Sequence, residues 1–330
     1  MPISPRQRCL HPLWSTTLAS PLGEGPIAVY NRRVIPEFGQ YAKRLALRAG
    51  LVFLLAPAYW LAAAGPGRLE KSFDTTDSPQ ISLSNLRGQI SVHGWDRNQV
   101  HVLCVTVSPR VEVDTEAMPP TGRAERIQLA THVLDPMVTG NEETADCALE
   151  VPAGASLEIR NRQGSVLIEK LQGQHAWIES ADGRITAMDV ASHLTARSLG
   201  GDIELMRPTG RTEAYTITGN IRLLDPESKN VRANTNSGKI TYRGDFVPTG
   251  EYVLSTYSGA IEVLCPPSAS FELNAKTVKG KLENTFSLTP KRHASSPFSS
   301  ANSLLGTHNT GSATVELTSF SGRIRVRPQL

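Results

Sequence analysis

The chain lacks a dominant charge: 34 Lys and Arg against 31 Asp and Glu leave a formal net charge of +3 over 330 residues. A balance so near zero argues against nucleic acid as a partner, because phosphate binding needs concentrated Lys and Arg. No CxxC or Cys/His spacing marks a structural metal site, so neither metal nor other cofactor is expected. After residue 70 there is no GxSxG, HExxH, GxGxxG or Walker A motif, and no long helical pattern rich in Ala, Leu, Glu and Lys. What remains is 39% hydrophobic, enough to bury a core, and reads as mostly β.

Long apolar runs are missing too, apart from one. Residues 45–64, LALRAGLVFLLAPAYWLAAA, follow Lys43 and Arg44 and end in Ala62, Ala63 and Ala64. A basic flank, a greasy stretch and a small-residue cleavage site have the layout of an export signal. The stretch is short for a spanning helix and contains Pro57, which favours a cleaved signal peptide over a membrane anchor helix. Either sends the rest of the chain across a membrane, and membrane contact is expected only through 45–64 if uncleaved. Residues 1–44, rich in proline, read as a disordered leader or as residues ahead of the true start. No Cys follows the greasy stretch to accept lipid, and RIRVRPQL at the end is no sorting tail. Export would place Cys104, Cys147 and Cys265 in an oxidising compartment. Cys104 and Cys147 lie in strand-like runs, where they either pair or act as small buried hydrophobes.

What is present is a repeat. TNSGKITY and TYSGAIEV share a frame that recurs at Gly164, Gly183, Gly201, Gly219, Gly238, Gly259, Gly280 and Gly322, with an isolated copy at Gly88. Spacings of 18 to 21 residues, and a last one of 42, twice 21, are the mark of stacked coils. Two places after each glycine stands a branched apolar residue, as in Ile185, Ile203, Ile221 and Ile240, and a second apolar column lies two places further. Seven and five places before it the residues are again mostly apolar, as in Val231 and Ala233. Each frame therefore predicts two half-buried strands. Three places before the glycine the column is Asn, Ser or Thr throughout, from Asn85 to Ser319. The inward offsets are odd before the glycine and even after it, so the corner must reset the alternation. A bend with positive φ does this, and the small polar residue is expected to bond backbone groups and its counterpart one coil away. Outward columns such as Arg160, Glu179 and Arg197 mix signs and read as a solvated wall.

These frames, with the entry ISVHGWDRNQVHV and the restart VPAGASLEIRNRQGSV, resemble the bacterial putative-adhesin family of β-strand-repeat proteins, a domain of unknown function. The resemblance runs from about Leu69 to Val326. It implies a single-stranded β-solenoid of about 8–9 coils, exported to the cell envelope, and supplies no catalytic residues. The expected organisation of 69–326 is an N-terminal β cap at 69–150, regular coils at 151–283, an irregular loop or hairpin at 284–311 and a last coil at 312–326.

Candidate chemistry is sparse. Asp182 and Asp202 fall in different columns, and Asp189 and Asp225 lie at loops two coils apart, so the frame brings together no pair of carboxylates for glycoside cleavage. His175 and His193 stack on adjacent coils, a pair that suits metal or proton binding but whose column continues with Arg211, Asn230, Glu251 and Glu272. Trp177 falls at an outward offset and is a candidate binding contact. The sequence reads as a non-enzymatic protein presenting a surface for an envelope or surface ligand, protein or glycan. The alternatives are a glycan-active β-helix enzyme and a membrane-anchored envelope-stress component. Contacts are expected from outward residues such as Asn234, Lys239, Thr241, Ser255, Ala260 and Glu262.

Overall fold

Branched apolar residues alternating on both sides of a small polar corner make two short strands per frame. The computed structural model describes residues 67–137, 139–290, 299–300 and 302–329. The expectations for 1–44 and 45–64 lie outside them. Among the described residues the chain is all-β, with twenty-four strands, one short 3-10 turn and no helix long and apolar enough to cross a membrane.

Each frame gives one strand to each of two ladders, and each rung takes the name of its glycine. In the Gly238 rung, Asn230–Thr235 pairs in parallel with Thr212–Thr216 and Glu251–Thr256 in the pre-glycine ladder. Ile240–Arg243 pairs in parallel with Ile221–Leu224 and Ile261–Cys265 in the post-glycine ladder. Register sets like over like: Ile240 lies between Ile221 and Ile261, and Val231 between Thr212 and Tyr252. The inward columns of both ladders merge into one buried cluster. At about 1.5–3 kcal/mol for each large apolar side chain buried, this cluster is the main stabilising term. In the longer frames the cluster holds aromatics, with Phe246 stacked on Tyr242 and edge-on to Tyr252 and Phe271.

The order of rungs in space departs from the order in the chain at both ends. The Gly88 rung is not isolated: it lies directly beneath the Gly164 rung. Its other edges are covered by later strands, Ala124–Val133 and Ala145–Pro152. At the far end the Gly322 rung inserts between the Gly259 and Gly280 rungs. The 42-residue step is therefore not a skipped rung. It contains the hairpin of Ser299–Ser300 and Ser303–His308, whose second strand runs antiparallel along Phe271–Thr277. Antiparallel strands also cover the opposite end: Val111–Met118 lies on Ala124–Val133, and Gln99–Thr106 on Ala145–Pro152. Such covers block the open strand edges on which another chain could add. The long strand Gly67–Arg87 starts beside Gln99–Thr106 and ends in the pre-glycine ladder, joining the two ladders into one hydrogen-bonded system. A disulfide, Cys104–Cys147, ties neighbouring antiparallel strands at this end, and Cys265 is a buried free thiol.

The glycine corner works differently from the positive-φ bend expected. Positive φ occurs at Gly88, Gly164 and Gly183, but at none of the six other frame glycines. There the requirement is close approach: a Cβ on Gly238 would overlap the Gly219 carbonyl of the neighbouring rung. The hydroxyl three places back stitches this approach. Thr235 Oγ1 accepts the Gly238 N–H at 3.1 Å and donates to the Gly219 carbonyl at 3.1 Å. The same two bonds recur at Thr216, Thr256, Thr277 and Ser319. The hydroxyl thus bonds the adjacent rung's glycine, not its own counterpart there. Left-handed residues stand instead at the opposite corner, six places after the glycine: Lys170, Asp189, Arg207 and Asp225, with φ between 47° and 57°. Arg207 closes this corner over Asp189 with two bonds of 2.7 and 2.8 Å.

Candidate functional site: a groove along the glycine corner

The glycine corner exposes side chains that neither inward column accounts for. Two places before the glycine the rungs carry, in spatial order, Leu86, Arg162, Ala181, Leu199, Ile217, Asn236, Tyr257, Phe320 and Val278. The backbone here is held to the next rung, as in Ile217 N–H to the Leu199 carbonyl at 3.3 Å, which turns the side chain outward. Leu199 is 57% exposed and Ile217 48%. Exposed apolar residues in a row, unlike scattered ones, mark a contact surface.

Between this corner and the outward column four places before the glycine runs a groove of about 770 Å³. One side is Leu86, Arg162, Ala181, Leu199 and Ile217; the other is Arg160, Glu179, Arg197, Tyr215 and Asn234; Asn161 and Ser180 are among the residues between. The outward column Arg160, Glu179 and Arg197, read from sequence as a solvated wall, is exposed. Arg160 turns to Glu158 on its own strand at 2.8 Å. Arg197 lies over the rings of both Trp177 and Tyr215, 5.3 Å from each centroid, so its charge is held by π faces rather than by a carboxylate. Tyr215 donates to Glu213 at 3.0 Å, and its phenol pKa is raised by burial and by that bond. Burial pushes the Glu213 carboxyl up, but hydrogen bonds from Arg211 and Tyr215 outweigh it and leave the pKa below the ordinary value.

Two buried polar atoms beside the groove have no partner among the described residues: Ser180 Oγ and Asn161 Oδ1. Ser180 is 1% exposed and Asn161 3%, and the two are register partners on neighbouring rungs. An unpaired buried polar atom costs about 1–3 kcal/mol. Unlike the threonines further along, Ser180 makes no bond to the glycine N–H of its own rung, and in the Asn161 rung the Gly164 N–H goes to the Asp182 carbonyl at 2.8 Å. The groove combines three guanidiniums, one carboxylate, an apolar edge and unsatisfied polar atoms. That chemistry suits a ligand with an apolar body and an anionic end. It does not suit a metal, since among the described residues no three of His, Cys, Asp and Glu stand together.

Of the residues singled out from sequence, Trp177 is exposed at 38% and takes part through Arg197. His175 and His193 are register partners, both exposed. His193 Nε2 lies 3.7 Å from Glu213, which Arg211 also binds at 2.8 Å, so the histidine sits beside a surface Arg–Glu pair. Asn234 donates to Ser255 at 2.7 Å, forming a side-chain ladder. Glu262, expected to be available outward, is 8% exposed beneath Lys239, Arg325 and Arg327. The corner residues Leu199 and Ile217 were missed. Their signal was present in the sequence as apolar residues two places before most of the frame glycines, a column that the alternation rule does not cover.

No family model and no curated protein matches the chain. Several solved bacterial structures are similar to the chain at low sequence identity. A putative adhesin from Bacteroides fragilis is 10% identical over 79% of this chain and 97% of its own, with a TM-score of 0.42. A putative lipid binding protein from Parabacteroides distasonis is 10% identical over 80% and 98%, also with a TM-score of 0.42. A putative cell adhesion protein from Clostridium sporogenes is 10% identical over 80% and 100%, with a TM-score of 0.30.

Proposed function

We propose that the chain is an exported, non-enzymatic β-solenoid of the bacterial cell envelope, with the two ladders as its faces, and that the glycine-corner groove is its binding site. The ligand class is an amphipathic anion. Its apolar body lies along Leu199 and Ile217, its anionic group meets Arg162 and Arg197, and Ser180 and Asn161 gain the partners they lack. The observation that carries this reading is the coincidence of exposed apolar side chains with two buried unpaired polar atoms in one groove. The Cys104–Cys147 disulfide supports export, since such bonds persist in oxidising compartments.

Anilinonaphthalene sulfonate, an aromatic anion whose emission rises in apolar surroundings, tests the groove. Saturable binding to the full chain is expected, lost on Leu199→Glu and weakened at least tenfold by Arg162→Ala with Arg197→Ala, with the melting temperatures unchanged. Binding that survives both variants would place the site elsewhere. Equal binding of an uncharged naphthalene probe by the parent and the double-alanine chain would remove the anionic requirement.

A further inference from the structure

Beyond the groove, the same corner continues over the last four rungs with a different character. Its segments are Asn236–Lys239, Tyr257–Ala260, Phe320–Arg323 and Val278–Lys281, stacked in that order. Together they carry Lys239, Lys279, Lys281 and Arg323, all exposed, and no acidic residue. Between the cations protrude Tyr257, 57% exposed, Val278, 51% exposed, and the partly exposed Phe320. The post-glycine strands behind add Arg325 and Arg327 and two carboxylates, Glu262 and Glu283, already held by Lys239, Arg323, Arg325 and Arg327. With the exposed Arg243 of the Gly238 rung's post-glycine strand, seven cations against two acids leave an excess of five positive charges along one ridge.

We propose that this ridge docks on an anionic lipid surface. A row of cations flanking protruding apolar side chains matches an interface with negative headgroups outside and acyl chains beneath, where each Lys or Arg adds electrostatic attraction and each ring or branched chain adds burial. The rings themselves favour a bilayer over a sugar polymer. Phe320 has one face stacked on Tyr257, with centroids 4.8 Å apart and planes 3° apart, and Lys279 Nζ sits over the ring at 5.4 Å. With Tyr257 stacked on it and Lys279 over it, Phe320 is not a free platform for a sugar ring. The groove and the ridge lie on one corner, separated at Asn236, so a chain docked by the ridge holds the groove alongside the lipid surface.

The test uses the full chain carrying Cys9→Ser and Ser258→Cys, with a nitrobenzoxadiazole dye on the thiol introduced at position 258; Cys265 is buried and Ser258 is exposed on the ridge. Vesicles of phosphatidylglycerol with phosphatidylcholine are expected to shift the dye to the blue and expose it to quenching by nitroxide-labelled lipid. Lys279→Glu with Lys281→Glu should weaken that response by about a hundredfold or more, since the two replacements together change the charge by four units. High salt should weaken it as well. An equal response to pure phosphatidylcholine would overturn the proposal, because contact through some other apolar segment has no need of anionic lipid. No response from the dye on the ridge would also overturn it. A response to dextran sulfate that blocks the vesicle response, without nitroxide quenching, would reassign the ridge to an anionic polymer.

Discussion

Replacing Thr235 by valine swaps a hydroxyl for a methyl group of nearly the same size, at a side chain that is 1% exposed. The shape of the corner stays and two bonds go. Gly238 N–H, 3.1 Å from Oγ1, loses its acceptor, and the Gly219 carbonyl, also at 3.1 Å, loses its donor. Stranding a buried donor costs about 1–3 kcal/mol, and the carbonyl adds less because acceptors tolerate partial satisfaction better. The added methyl returns roughly 0.8 kcal/mol through burial. The net expectation is a loss of about 2 kcal/mol, or a melting midpoint lower by roughly 4–8 °C for a domain of this size. Thr235→Ser keeps the hydroxyl and is expected to lose less than half as much; serine already fills this place at Ser198 and Ser319. Far-UV circular dichroism melts of the three chains measure both numbers. A valine variant within about 0.5 kcal/mol of the parent, or a serine variant as damaged as the valine one, would refute the stitching role of the hydroxyl.

Three further outcomes follow from the geometry. The Glu262 pKa is held low by the hydrogen bond from Lys239 and the nearby arginines, despite burial, so its contribution is present above the ordinary carboxylate pKa of 4.5 and is lost as pH falls below it. Glu262→Gln should therefore flatten the acid side of the stability profile and cost about 1–3 kcal/mol at neutral pH, read from urea midpoints between pH 3 and about 7; an unchanged acid slope would contradict this. Burial pushes the Cys265 thiol up to about 12, so peptide mapping after iodoacetamide should find it unlabelled in the folded chain and labelled in denaturant. Ser255→Cys with Thr318→Cys should form a disulfide on oxidation because the two are register partners, whereas Ser255→Cys with Lys276→Cys, two rungs and about 9.5 Å apart, should not. The reverse pattern would show that the Gly322 rung lies outside the Gly280 rung.

The alternating inward columns and the small polar residue at each corner were readable from sequence, because each rung must satisfy the same packing and the same turn. Rung order was not. Every rung offers its neighbour a branched apolar residue two places after the glycine, so Ile324 fits on Ile261 as well as on Leu282, and it pairs with both. The choice is made by the connections, and these run through irregular segments whose pattern names no partner. The left-handed corner was missed for a similar reason: Lys170, Asp189, Arg207 and Asp225 share a conformation but no side-chain chemistry. At the candidate site, Trp177 was singled out by its outward offset, while Leu199 and Ile217 sit at a turn where alternation has no meaning. The unpaired Ser180 and Asn161 could not be read from letters at all, since the same two residue types are satisfied elsewhere in their column, as at Ser198 and Asn85.

Amide hydrogen exchange read by mass spectrometry, on the full chain with and without saturating anilinonaphthalene sulfonate, tests the binding claim most directly. Slower exchange is expected only in peptides containing residues 160–162, 179–181, 197–199 and 215–217. Protection confined to other segments, or no protection at a saturating concentration, would contradict it.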